Sequence, residues 1–179
     1  RFYSEKLFRL PRVFSCWQQP EQYPPVQPPP FTNNGYITFG CFNNFSKVNS
    51  YILNLWADIL NAVPDSRLYL KAEAFSHNET RERLYGFMAG KGIEPHRLQL
   101  EQFTPAVASH LQQYNNIDIA LDTWPYNGTT TTCEAFWMGV PVITLAGEHH
   151  ISRVGLSFLK AVGLPELATV SAEEYVACA

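Results

Sequence analysis

One run of this sequence has the residue types and the spacing to hold a phosphorylated ligand: Asn127-Gly128-Thr129-Thr130-Thr131-Thr132-Cys133-Glu134. An apolar stretch stops at Asp122, a Pro-Tyr-Asn-Gly loop turns the chain, and four threonines open a helix over 129–138 that Gly139 ends. The first turn of a helix has unpaired N–H groups and a partial positive charge. Threonine hydroxyls add donors, and Gly128 allows close backbone approach, so the run reads as a phosphate cradle without a P-loop lysine. Glu134 follows about one turn later, where a carboxylate can accept from ribose hydroxyls. An ordinary strand–loop–helix with a threonine cap is the plainer alternative.

Two further side chains fit this chemistry. Lys47 lies two residues before the expected helix cap Asn49, where a cation opposes the helix dipole. Neutralising a diphosphate would account for it, and so would simple solvation. His110 falls within a helix and reads either as a ligand contact or as a surface or core histidine. His149-His150 brings two imidazoles together, but adjacent side chains on a helix diverge and no carboxylate stands at ligand spacing. No metal site is expected. Trp56 and Trp137 read as core residues.

These residues need a frame. Strands are expected over 36–42, Arg67–Lys71, 97–103, 117–121 and 140–145. Helices are expected over 52–63, Asn78–Ala89, 105–114, 129–138 and 151–162. Ser171 and Glu174 form a capping box for a last helix that the chain end cuts. Alternation of this kind gives right-handed βαβ units and a Rossmann-like parallel sheet, an α/β fold. Ligands of such sheets lie at the carboxyl ends of the strands. The loops after residues 42, 103 and 123 should therefore converge on one crevice. No G-x-G-x-x-G fingerprint is present.

The first 35 residues are different. Six prolines lie between Pro20 and Pro30, which excludes helix and central strand. The stretch reads as a semi-rigid extended linker, or as a ligand for an SH3-like domain. Glu5 to Leu10 could form a short strand. Residues 36–179 are expected to form the Rossmann-like lobe.

Composition narrows the rest. The 179 residues are 46% hydrophobic and 16% charged, with formal net charge −3, as in an ordinary globular domain. No basic run marks a nucleic-acid groove, and no apolar run has transmembrane length. Four scattered cysteines form no C-x-x-C pair, which fits a reducing, cytoplasmic setting. The chain begins with Arg1 and reads as excised from something longer.

The segments 39–47, 55–64, 118–145 and 152–155 carry a resemblance. Phe-Gly-Cys-Phe-Asn-Asn-Phe-Ser-Lys, Leu-Asp-Thr-Trp-Pro-Tyr-Asn-Gly-Thr-Thr-Thr-Thr and Ser-Arg-Val-Gly resemble the catalytic region of the O-linked N-acetylglucosamine transferase family. The likeness is to bacterial, SPINDLY-like members, which usually carry tetratricopeptide repeats upstream. Residues 3–7 resemble the end of that family's first catalytic lobe.

The resemblance implies the C-terminal lobe of a GT-B glycosyltransferase, inverting and metal-independent, moving N-acetylglucosamine from UDP to protein Ser/Thr hydroxyls. Related readings are a protein asparagine glucosyltransferase using UDP-hexose and a non-catalytic nucleotide-binding module. By the resemblance Lys47 is catalytic, on the diphosphate of the leaving UDP. Asn44 stands where the family has a glutamine near the same phosphates. Thr129, Thr130 and Thr131 occupy a His-Thr-Thr run, with threonine replacing the histidine. Asn127 and Gly128 complete that loop. Glu134 replaces an aspartate on the ribose, and His110 matches a histidine near the nucleotide. A second lysine of the animal enzymes falls on Val107. Implied partners are a UDP-sugar, a protein or peptide acceptor, and the upstream lobe of the same parent, which carries the acceptor-side histidines. The piece alone is expected to be inactive.

Overall fold

The computed structural model describes residues 4–6, 8 and 12–179. Six parallel strands form one sheet: β1 (Thr38–Cys41), β2 (Arg67–Lys71), β3 (Leu98–Glu101), β4 (Ile119–Leu121), β5 (Val142–Leu145) and β6 (Ala168–Thr169), in the order β3-β2-β1-β4-β5-β6. Seven α-helices accompany them: α1 (Phe31–Asn34), α2 (Ser50–Ala62), α3 (Asn78–Ala89), α4 (Val107–Gln112), α5 (Thr130–Trp137), α6 (Val154–Val162) and α7 (Ala172–Cys178).

Strand alternation builds two cores. In β2, Leu68 and Leu70 face α2 and α3, where they pack with Ile52, Trp56, Ile59, Leu84 and Met88. Tyr69 points the other way and packs with Leu111 and Tyr114 at the α4 side and with Ala135 and Met138 at the end of α5. Successive side chains of a strand must take opposite faces, so the β2 sequence Arg-Leu-Tyr-Leu-Lys serves both cores at once. Strands buried on both faces read as continuous apolar runs, as β1 and β5 do.

The order places a switch point between β1 and β4. Chain growth runs outward through β2 and β3, then returns and runs the other way through β5 and β6. The loops leaving β1 and β4 therefore diverge and leave a crevice above the sheet.

Element boundaries differ from the sequence reading in instructive places. The helix expected over 105–114 is α-helical only over Val107–Gln112 and continues as a 3-10 turn, Gln113–Asn116. The helix expected over 151–162 divides at Arg153, with a 3-10 turn His150–Ser152 before α6. β5 begins at Val142 rather than 140. Gly139 takes φ +75°, and the Val140 N–H still closes onto the Ala135 carbonyl at 2.8 Å, so the helix exit uses those residues. The two-residue β6 is too short to show a pattern. The strand expected over Glu5 to Leu10 lies largely outside the described residues. No described helix is long and apolar enough to cross a membrane.

The proline-rich segment lies against the lobe. Tyr23 meets Trp137 edge-on at 5.2 Å, and Trp17 tilts against it at 5.9 Å. The Gln27 N–H donates to Asn115 Oδ1, and Asn115 Nδ2 donates to the Pro25 carbonyl, both at 3.1 Å. Asp118 then takes the amides of Phe31 and Thr38, which fixes the entry into β1. Trp137, expected in the core, is half-buried on α5 and receives these linker aromatics.

Candidate functional site

The site grows from the two loops at the switch point. Asp122 follows β4 and is buried, and its carboxylate collects four donors. Oδ1 accepts from the Gly128 N–H at 2.7 Å, the Thr123 N–H at 2.8 Å and Asn43 Nδ2 at 3.3 Å. Oδ2 accepts from the Thr144 hydroxyl at 2.7 Å. One side chain thus ties β5, the loop after β1 and the start of α5 to the end of β4. Burial lifts its carboxyl to about 6 from an ordinary 3.8, against the pull of those hydrogen bonds. Gly155 packs so closely that a Cβ there would lie 2.3 Å from Thr144 Oγ1 and 2.9 Å from Asp122 Oδ2.

The Asn127-Gly128 turn serves the same frame. Asn127 is fully buried. Its amide donates to the Thr123 carbonyl at 2.8 Å and its Oδ1 accepts from the Gly155 N–H at 3.3 Å. The sequence reading gave Gly128 close approach to a ligand, but its N–H is turned inward onto Asp122. A Cβ at Gly128 would meet Thr132 Oγ1, Asn43 Oδ1 and Thr131 Oγ1 within 2.8 Å. The neighbouring side chains alone require glycine there.

α5 then starts without a side-chain cap. The Thr129 hydroxyl accepts none of the first-turn amides, Thr130 is exposed, and the Thr131 hydroxyl donates to Asn43 Oδ1 at 2.5 Å. Eight residues of helix therefore point an open N-terminus outward. Lys47 ends a 3-10 turn that Asn44 caps by accepting the Ser46 N–H. The Lys47 ammonium donates to the Asn127 carbonyl at 3.0 Å and sits 4.2 Å from the centre of the Tyr126 ring. Burial lowers this ammonium, and Asp122 pulls it partly back.

Beside the open helix end lies a cleft of about 410 Å³. Asn43, Asn44, Thr130 and Thr131 form one end; Phe103, Thr104, Pro105 and Val107 form the other. Between them stand Lys71, His110 and Glu134, joined in a line. Lys71 Nζ lies 2.8 Å from His110 Nδ1, and His110 Nε2 lies 3.0 Å from Glu134 Oε2. The Tyr114 hydroxyl donates to the same Glu134 oxygen at 3.2 Å. Burial lowers the Lys71 ammonium, while Glu134 and Glu101 raise it.

The structure thus brings Asn44, Thr130, Thr131, His110 and Glu134 to one cleft. Lys47 and Asn127 are joined to each other and do not line that cleft, and Thr129 is the N-cap position of α5. The sequence reading missed Lys71, Asn43, Tyr114 and the bracing role of Asp122. For Lys71 a signal existed: a lysine directly after the apolar Leu-Tyr-Leu run, at the carboxyl end of a strand. Of the histidine pair, His150 packs its ring against Phe14 at 5.0 Å. All four cysteines are free thiols.

An α/β sheet with its switch-point cleft and an open helix N-terminus defines a Rossmann-like lobe of the GT-B glycosyltransferase class. The chain belongs to glycosyl transferase family 41, whose model matches residues 31–179. It is 44% identical over 172 residues to the probable UDP-N-acetylglucosamine–peptide N-acetylglucosaminyltransferase SPINDLY of Solanum lycopersicum, covering 96% of this chain and 18% of that protein. It is 33% identical over 143 residues to the UDP-N-acetylglucosamine–peptide N-acetylglucosaminyltransferase of Caenorhabditis elegans, covering 80% of this chain and 12% of that one. Among solved structures, an O-GlcNAc transferase mutant of Thermobaculum terrenum superposes with TM-score 0.83 and 41% identity, over 89% of this chain and 30% of that chain. The chain therefore spans under a third of the length of these relatives.

Proposed function

We propose that this lobe binds the donor of an inverting, metal-independent glycosyltransferase that moves N-acetylglucosamine from UDP to Ser or Thr hydroxyls of proteins. The observation that carries the reading is the uncapped N-terminus of α5 at the end of a cleft large enough for a nucleoside. The diphosphate lies on the first-turn amides, with the Thr130 hydroxyl beside it. The nucleoside fills the cleft toward Phe103 and Pro105, and Glu134 takes a ribose hydroxyl. The acceptor, and the side chains that handle its proton, belong to the upstream lobe of the parent protein. Tetratricopeptide repeats beyond that lobe and a cytoplasmic setting complete this picture.

Charge dictates the chemistry of this half. Breaking the bond between the anomeric carbon and the β-phosphate oxygen leaves the electron pair, and negative charge, on UDP. Fixed donors aimed at that charge lower the barrier, and each is worth roughly 3 kcal/mol. The α5 amides are fixed because Asp122 holds the turn before them. Lys47 is close at hand on the Asn127 carbonyl and need only exchange one oxygen for another. Burial lowers its affinity for the proton, and a charge developing beside it would raise that affinity again.

Isothermal titration of this chain with UDP in EDTA tests the reading. Binding is expected without divalent metal, tighter than for GDP, with UDP-N-acetylglucosamine preferred over UDP-glucose. Binding that appears only with added Mg²⁺ would remove the metal-free mechanism. GDP binding as well as or better than UDP would contradict the donor.

A further inference from the structure

Lys71 has no part in the phosphate chemistry above, yet it forms the back wall of the cleft. It closes β2, is 2% exposed, and has no carboxylate within ion-pair distance among the described residues. A buried ammonium normally pairs with an anion. This one meets an imidazole nitrogen instead.

That choice has a chemical consequence. An ammonium has donors and no lone pair, so His110 Nδ1 must accept. The ring hydrogen then resides on Nε2, which faces Glu134 Oε2 at 3.0 Å. Donation runs one way, from Lys71 through His110 to Glu134. Tyr114 supplies a second donor to the same oxygen, its single O–H being shared with the Thr131 carbonyl at 3.1 Å, in the first turn of α5. With both donors on Oε2, Glu134 Oε1 accepts no hydrogen bond from the described residues. The His110 ring is flanked by Phe42 and Phe103, with centroids 6.1 Å and 6.5 Å away, so its plane is held as well as its tautomer.

We propose that Lys71 is a positioning residue for the donor nucleotide: it fixes the tautomer and plane of His110 and, through that ring, aims the free oxygen of Glu134 into the cleft as the acceptor for a ribose hydroxyl. The proposal rests on the reading of the cleft as a nucleotide site. It differs from a plain structural role because it requires a donor at position 71 rather than a charge or a particular volume.

Two variants separate these roles. Lys71→Met keeps the stem and removes the donor; Lys71→Gln keeps an N–H donor and removes the charge. The tautomer of His110 is read from long-range ¹⁵N–¹H side-chain spectra of the free chain, and UDP affinity by calorimetry. The wild type should show the Nε2–H tautomer. Lys71→Gln should retain it, with Kd within about 3-fold. Lys71→Met should populate the Nδ1–H form and raise Kd roughly 10-fold, the worth of about one hydrogen bond. An unchanged tautomer in Lys71→Met, or a changed tautomer with unchanged Kd, overturns the proposal while leaving the nucleotide reading intact. A wild-type chain that binds no UDP overturns the nucleotide reading and the proposal with it. If Lys71→Met does not fold, Lys71→Gln decides alone: a 10-fold weaker Kd with the Nε2–H tautomer retained contradicts the positioning role.

Discussion

The two sides of the α5 N-terminus are built on opposite rules. On the loop side, Asp122, Asn127, Thr123 and Thr144 are hydrogen-bonded among themselves and to the Gly128 and Gly155 amides, and Lys47 is tied to a backbone carbonyl. On the cleft side, Thr130 is exposed, the first-turn amides have no cap, and Glu134 keeps one oxygen open. Buried polar groups left unpaired are costly, so the satisfied side is the frame. Open groups beside a cavity stay hydrated until something replaces the water, so the other side is the binding surface. Lys47 is the exception that belongs to both, being held at rest by the frame and needed by the leaving group.

The sharpest way to break this division is to attack the frame. Asp122→Ala leaves the Gly128 and Thr123 amides and the Thr144 hydroxyl without their acceptor. A loss of about 3–5 kcal/mol is expected, lowering Tm by roughly 10 °C or more. A stability loss no larger than that of a surface substitution would show that the loop holds itself.

Asp122 also makes the frame sensitive to pH in a predictable direction. Its carboxyl stands at about 6 in the folded chain and at 3.8 ordinarily. Between those values the folded state keeps a proton that the unfolded chain has released. The stabilising contribution is thus complete below pH 4 and is lost as pH rises to 6, by about 3 kcal/mol. Asp122→Asn has no such group. The stability difference between wild type and Asp122→Asn, followed by denaturant titration from pH 7 to pH 4, should move in favour of wild type. A flat difference would mean that the carboxyl titrates normally.

Kinetics in the full-length parent sharpen the contrast. Lys47→Ala should lower kcat by ~100-fold with a smaller change in donor KM, because its contact strengthens as charge develops. Glu134→Ala should raise donor KM, with kcat nearly unchanged, as expected for a ribose contact equal in both states. Steady-state rates with the donor varied distinguish the two patterns. Wild-type rates from Lys47→Ala would leave that residue as part of the frame alone.

The smallest expected effect lies where α5 meets the proline-rich segment. Trp137→Ala removes the edge-on and tilted contacts to Tyr23 and Trp17 and should cost about 1–2 kcal/mol. Limited proteolysis should then cut the proline-rich segment faster, with UDP affinity unchanged. Unchanged proteolysis would mean that Asn115 and Asp118 hold the segment without the aromatics.

Much of the frame was legible in the sequence because period is a local property. Arg67–Lys71 and Asn78–Ala89 stand where the spacing of apolar residues put them. The 3-10 turns after α4 and before α6 were not legible, since such turns lack a period of their own. At the site, residue types pointed to Thr130, Thr131, His110 and Glu134 but not to how each was used. Gly128 was read as an opening toward a ligand because glycine permits close approach. Which group approaches depends on Asn43, 85 positions earlier in the chain. Lys71 and Asp122 were missed for a similar reason: His110, Asn43 and Thr144 lie on other elements of the fold, and no spacing rule joins them.

The most direct test of the division between frame and binding surface is amide and side-chain chemical-shift mapping of this chain on addition of UDP. The account predicts the largest shifts at Thr130, Thr131, Lys71, Phe103 and His110, and small ones at Trp124, Glu148 and Ile151, which line a separate cavity on the far side of the loop. Shifts centred on that far cavity, with the His110 and Thr130 signals unmoved, would contradict it.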